Sequence, residues 1–166
     1  MARAPIFAAG GIVMRGGPQP LFAVVQLRKD DTWALPKGKL NKREHAMAAA
    51  RREAMEETGH DVTVHEFLGT MSYETGRKPK IVQFWRMEAS EQPARALMRD
   101  VKAVEWLPLA SAVQKLSLPR EQTFLASVGP VALNSKATGA PADAAPFPSP
   151  PDSLLMRAWR WLRRKG

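Results

Sequence analysis

Cysteine is absent from this 166-residue chain, and tyrosine occurs once. Without thiols there can be neither a disulfide framework nor a cysteine-ligated zinc site, and a reducing, cytoplasmic setting fits. Histidine is scarce: His45, His60 and His65 show no metal-ligand spacing and read as structural or exposed positions. No apolar run approaches the roughly 18 residues of a membrane span. The N-terminal stretch MARAPIFAAGGIVMRGG is briefly apolar. Gly10-Gly11 and the alternation through Ile12, Val13 and Met14 predict a first strand there rather than a secretory signal. No internal repeat is apparent. The length allows one domain plus an appendage.

Charge is present, and unevenly. The formal net charge is +9; residues 1–133 hold 19 Lys and Arg against 14 Asp and Glu, and residues 134–166 hold 6 against 2. The body is therefore mildly basic, which suits phosphate-rich ligands but gives no reason to expect specific nucleic-acid binding.

Along the chain, residues 6–15 and 21–28 predict two strands joined by a Gly/Pro turn over 16–20, and residues 33–35 a short strand leading into Pro36. Residues 62–73 are rich in β-formers, 74–79 form a polar loop, and 80–87 alternate as another strand. Phe84 and Trp85 are adjacent there, so they should face opposite sides of a sheet. Residues 88–102 read as a loop, 104–107 as a final short strand and 109–116 as a second helix, with a further helical turn or two after Pro119. Strands before and after a helix, then a C-terminal helix, make an α+β (α/β) sandwich whose topology the pattern leaves open.

The most informative stretch is LPKGKLNKREHAMAAARREAMEETGH, residues 35–60. Asn41 followed by Glu44 resembles a capping box with Asn in place of Ser or Thr, predicting a helix from near Lys42. Ala46, Ala48, Ala49, Ala50 and Ala54 favour that helix, and Gly59 supplies its stop. At about 100° per residue, Glu53, Glu56 and Glu57 fall within a sector of roughly 100°, with Met47, Ala50 and Ala54 on an adjoining core-facing side. Like charges at these spacings destabilise a helix by a few tenths of a kcal/mol per pair. No row of Lys or Arg relieves all three. Either the face is simply solvated, or the oxygens gather a hard divalent cation, Mg²⁺ or Mn²⁺.

The string Gly38-x5-Glu44-x7-Arg52-Glu53-Ala54-x-Glu56-Glu57-x-Gly59 resembles the Nudix box of hydrolases acting on nucleoside-diphosphate-linked compounds, with every charged and glycine position at the family's spacing. Two positions depart: His60 stands where the family usually has an aliphatic residue, and Arg43 where a glycine commonly precedes the glutamate. The resemblance implies the Nudix fold, a mixed sheet between helices with the box as loop-helix-loop, in a domain spanning 1–133. It implies a Mg²⁺-dependent hydrolase of phosphoanhydride bonds, Mn²⁺ being an alternative ion. Gly38, Glu53, Glu56 and Glu57 would serve the metal, Glu53 as ligand or as base. Arg52 would orient Glu53, and Glu44, counted with them as catalytic, would either support the loop-helix junction or contribute indirectly to the metal shell. In some relatives the base lies outside the box, and Glu74, Glu88 and Glu105 are candidates.

For the substrate, Leu35-Pro36-Lys37-Gly38 resembles the branch that cleaves diadenosine polyphosphates and its MutT-like relatives, and residues 80–85 and 104–109 fit the same branch. Lys37 and Lys39, with Lys42, Arg43, Lys78 and Lys80, would form a cationic rim for a polyphosphate unless they are ordinary surface. Tyr73, Phe84 or Trp85 would either stack on a base or belong to the core. The expectation is therefore a dinucleoside polyphosphate. Hydrolysis of oxidised nucleoside triphosphates and a non-catalytic nucleotide-binding or scaffolding module are the alternatives, with RNA 5′-end or diphosphoinositol chemistry behind them.

From residue 134 to 152 the chain is rich in Pro, Ala and Ser and predicts a disordered linker. Residues 153–166 place Leu154, Leu155, Ala158, Trp159, Trp161 and Leu162 on one side of a helical wheel and Arg157, Arg160, Arg163 and Arg164 on the other. Such a basic amphipathic helix would dock on its own domain, on a partner, or at an anionic membrane surface.

Overall fold

The first strand has two apolar faces, and the fold is built around it. In a computed structural model, which describes residues 4–76 and 78–135, β1 (Ile6–Arg15) sits inside a mixed sheet. Its register runs parallel to β6 (Lys78–Ala89) and antiparallel to β2 (Leu21–Leu27). The order is β3 (Trp33–Ala34), β2, β1, β6, β5 (Val62–Thr75); β4 (Lys37–Lys39) pairs with β1 and β7 (Val101–Leu107) with β2. Side chains alternate across a strand, and β1 obeys this: Ala8, Ile12 and Met14 enter one core, Ala9 and Val13 the other.

Helix α1 (Ala46–Thr58) covers the second of these cores with Met47, Ala49, Ala50 and Ala54. Helices α2 (Leu109–Lys115) and α3 (Pro119–Asn134) cover the first with Ala112, Leu125 and Ala132. Phe84 and Trp85 do face opposite ways: Phe84 is buried on the α3 side, and Trp85 packs at the margin of the α1 side. The result is the sandwich of a mixed sheet between helices.

Several boundaries differ from the sequence reading, each for a physical reason. Helix α1 begins at Ala46, not near Lys42. The Asn41/Glu44 signature is real but closes a turn: the Asn41 amide donates to Glu44 Oε2 (2.8 Å) and the Glu44 amide to the Asn41 carbonyl (3.1 Å). Arg43 then adopts a left-handed φ of 65°, which breaks the helical path. The helix does stop at Gly59, with φ 75° and its amide bonded to the Met55 carbonyl. The polar stretch 88–102 is partly strand, because β6 runs to Ala89 and β7 starts at Val101. The turn or two expected after Pro119 is a 16-residue helix that carries Pro130 inside it and reaches Asn134, one residue into the expected linker. The amphipathic segment 153–166 lies outside the described residues.

Two glycines bring the 35–39 segment close. A Cβ on Gly10 would stand 2.3 Å from the Pro36 carbonyl oxygen and 2.6 Å from Lys37 Cβ, so only glycine lets that segment lie directly on β1. On the α1 side, a Cβ on Gly38 would stand 2.0 Å from the Glu53 carboxyl carbon.

Candidate active site

Helix α1 aims Glu53 and Glu57 into a cleft of about 610 Å³ floored by residues 34–39 and walled by α1, the start of α3 and the β5–β6 hairpin. Glu53 and Glu57 line it together with Lys37, Gly38, Lys39, Tyr73, Lys80, Asp100, Arg120 and Glu121. Both box glutamates are 7% exposed. Glu57 Oε2 accepts the Lys37 amide at 2.9 Å, yet burial pushes its carboxyl up to about 8. Burial also raises the Glu53 carboxyl above its ordinary value, the Arg52 hydrogen bond offsetting it only in part. Both carboxyls are thus raised by burial in one cleft, and of the two only Glu53 has an ion-pair partner among the described residues, Arg52.

Arg52 is the hub on the outer side of the helix. Its Nε and Nη2 hold Glu44 by both oxygens (2.8 and 2.9 Å), its Nη1 holds Glu53 Oε1 (2.7 Å) and reaches Glu56 (3.3 Å), and Nη2 also meets the Lys39 carbonyl (3.2 Å). The guanidinium fork makes this set of contacts, and a lysine could not. Its hydrogen bonds hold the Glu44 carboxyl below the usual carboxylate range. The box residues therefore separate into two groups. Glu53, Glu57 and Gly38 face the cleft, whereas Glu44 and Glu56 meet at Arg52 and are absent from its lining.

Of the predicted cationic rim, Lys39 and Lys80 line the cleft and Lys78 does not. Lys37 lines it too, but its ammonium is engaged: Nζ stands 2.8 Å from Glu121 Oε1 and 3.3 Å from the Leu35 carbonyl. The carboxylates weighed as bases outside the box lie elsewhere. Glu88 meets His65 at 3.7 Å, Glu105 pairs with Lys115 at 2.9 Å, and Glu74 is exposed on β5; none of the three lines the cleft. Tyr73 lines the cleft with the Arg120 guanidinium 4.0 Å from its ring centroid. His60 and His65 are buried and His45 is exposed, as their lack of spacing suggested.

Sequence reasoning missed Glu121. It is fully buried in the first turn of α3, its Oε2 accepting the Leu35 amide at 2.7 Å and its Oε1 taking the Lys37 ammonium. A signal existed: Glu121, Leu125 and Ala132 share the buried stripe of α3, so a glutamate lay on an apolar face.

Residues 5–128 match the family model of the NUDIX domain. The chain belongs to the NUDIX domain family. An 8-oxo-(d)GTP phosphatase of Mycolicibacterium smegmatis is 33% identical over 103 residues, 62% of this chain and 32% of that protein. The chain thus spans about a third of that relative's length. An asymmetrical bis(5'-nucleosyl)-tetraphosphatase of Rattus norvegicus is 30% identical over 107 residues, 57% of this chain and 73% of that protein. Among solved structures, a C. elegans Ap4A hydrolase in a binary complex superposes with a TM-score of 0.68, covering 78% of this chain and 98% of that one. At 24% identity, that likeness is one of fold.

Proteins of the Nudix family generally use divalent metal ions, and the donor set here suits one. Glu53 and Glu57 are hard oxygen donors facing a common space, and Gly38 keeps that space clear of a side chain. Among the described residues no three carboxylate or imidazole groups enclose an ion by themselves. Among the described residues, no helix is long and apolar enough to cross a membrane.

Proposed function

We propose that this chain is a Mg²⁺-dependent phosphoanhydride hydrolase whose substrate is a dinucleoside polyphosphate. The observation that carries the reading is the pair of buried carboxyls, Glu53 and Glu57, set against Gly38 at the floor of a cleft with a cationic rim. Glu53 and Glu57 would hold the cation, with Mn²⁺ as a substitute. Bound there, the ion would supply positive charge against the phosphoryl oxygens and a more acidic water.

The chain's own groups account for the rest. Arg52 fixes Glu53 and is itself fixed by Glu44, so the carboxylate is oriented before substrate arrives. Glu53, its basicity raised by burial, takes the proton from the attacking water. Water adds to one phosphorus, the bridging P–O bond breaks, and the departing phosphate carries away the bonding pair. Lys39, Lys80 and Arg120, none of them ion-paired among the described residues, neutralise phosphates along the cleft. The apolar residues Leu27, Leu35, Met98 and Leu118, also in the lining, offer a surface for a nucleoside.

A second reading, hydrolysis of oxidised nucleoside triphosphates, is favoured by the mycobacterial relative's activity. Incubating the protein and Mg²⁺ with dinucleoside polyphosphates and with ordinary and oxidised triphosphates, then separating products by chromatography, tests both. Faster turnover of the dinucleoside compounds, absent in Glu57→Gln, is expected. Equal inertness of wild type and variant across the panel would leave only a nucleotide-binding module.

A further inference from the structure

Glu121 lies outside the box, yet it is wholly buried at the same cleft and touches the same short segment as the box glutamates. Leu35 and Lys37 stand between two carboxylates. The Leu35 amide and the Lys37 ammonium go to Glu121 on α3, while the Lys37 amide goes to Glu57 on α1. Lys37 therefore has two acidic neighbours and is committed to one.

We infer that Glu121 is a positioning residue that sequesters the Lys37 ammonium and so keeps Glu57 available to a divalent cation. If Glu121 loses its charge, Glu57, whose Oε2 already accepts the Lys37 amide at 2.9 Å, is an anion beside that ammonium, and a lysine seated there occupies the oxygens the cation needs. A buried ammonium does not stay unpaired when a carboxylate is within reach. Glu121 thus acts on the centre by removing a competitor, and α3, which carries no part of the box, becomes part of the machinery. This inference rests on the metal reading above, and it concerns binding rather than turnover.

The test is Mn²⁺ titration of the full chain, followed by electron paramagnetic resonance of the free ion, with no substrate present. Glu121→Gln keeps an acceptor for the Leu35 amide but abandons the ammonium. It is expected to weaken Mn²⁺ binding by about ten- to hundredfold, the usual effect of losing a partner of a metal ligand. Adding Lys37→Met removes the competitor, so the double variant is expected to bind more tightly than Glu121→Gln alone, back toward wild type. A merely structural glutamate would show no such rescue. Wild-type affinity in Glu121→Gln, or a double variant no better than the single one, overturns the inference while leaving the metal reading intact. A wild-type protein that takes up no Mn²⁺ overturns both. Should Glu121→Gln fail to fold by circular dichroism, the apolar pair Lys37→Met with Glu121→Met decides. Mn²⁺ binding at least as tight as wild type supports the inference, and weaker binding sinks it.

Discussion

Helices α1 and α3 flank one cleft, and each sends a buried glutamate to the segment 35–38, but the two charges are treated differently. On α3 the Leu35 amide bonds one Glu121 oxygen, and the Lys37 ammonium stands 2.8 Å from the other as an ion pair without hydrogen-bond geometry. Glu57 on α1 receives one backbone amide, and burial pushes its carboxyl up to about 8. Removing one partner of such a buried pair costs about 3–5 kcal/mol, because the other charge is left unpaired. Glu57 strains its own site until something cationic arrives. A ligand belongs where the protein has left charge uncompensated, and that is the α1 side.

The sharpest way to break this contrast is Glu57→Gln, which is expected to lower kcat with Mg²⁺ by about 10³-fold or more while the chain stays folded. Retained activity would mean that the cation does not depend on α1. Next comes Gly38→Ala, whose Cβ would collide with the Glu53 carboxylate and push it aside. A displacement of about 1 Å in a positioned group costs about 10²-fold in kcat. Arg52→Lys comes third, with a loss of about tenfold, since a lysine cannot hold Glu44 by both oxygens and Glu53 at once.

A thermal measurement sharpens the same comparison without any substrate. The Glu57 carboxyl lies higher in the folded chain than in the unfolded one, so its contribution is fully present below the unfolded value near 4.5. It is lost as the pH rises toward about 8. Glu53 shifts in the same direction. In chelator, Tm is therefore expected to fall by a few degrees between about pH 5 and pH 8. Glu57→Gln should flatten that slope, and Mg²⁺ should restore more stability at pH 8 than at pH 6. A slope unchanged in the variant would contradict the assignment. The smallest effect is expected of Arg43→Gly, which relieves a left-handed residue and should stabilise the chain by up to about 1 kcal/mol in urea unfolding, with activity retained.

Much of the α1 side was legible in the residues themselves. The spacing of Glu53, Glu56 and Glu57, the alanine-rich face and the Gly59 stop record a helix with an acidic sector, and β1 matches its expected residues 6–15 because a continuous apolar run bounded by Pro5 and Gly16 marks a strand buried on both faces. The division of labour within that sector was not legible. A helical wheel cannot show that Arg52 draws Glu56 outward while Glu53 and Glu57 turn in, since that depends on the fold bringing Glu44 back across the helix. The α3 side was hidden by local chemistry. Gly129 and Pro130 read as helix breakers, but Gly129 is there for contact: a Cβ on it would stand 2.4 Å from Leu109 Cδ1 of α2. Strand β4 is only three residues long, and its pairing with β1 is long-range information. The meeting of Lys37 and Glu121 across 84 positions of chain is likewise set by tertiary structure alone.

The tight seat of residues 36–37 on Gly10 limits how this pocket can be redesigned. Backbone rests on backbone there, so depth cannot be gained by trimming side chains beneath the cleft. Room for a bulkier or longer ligand must be found sideways, among Leu27, Met98, Leu118 and Arg120, and an engineer seeking new selectivity would leave the base of the cavity untouched and mutate its shoulders.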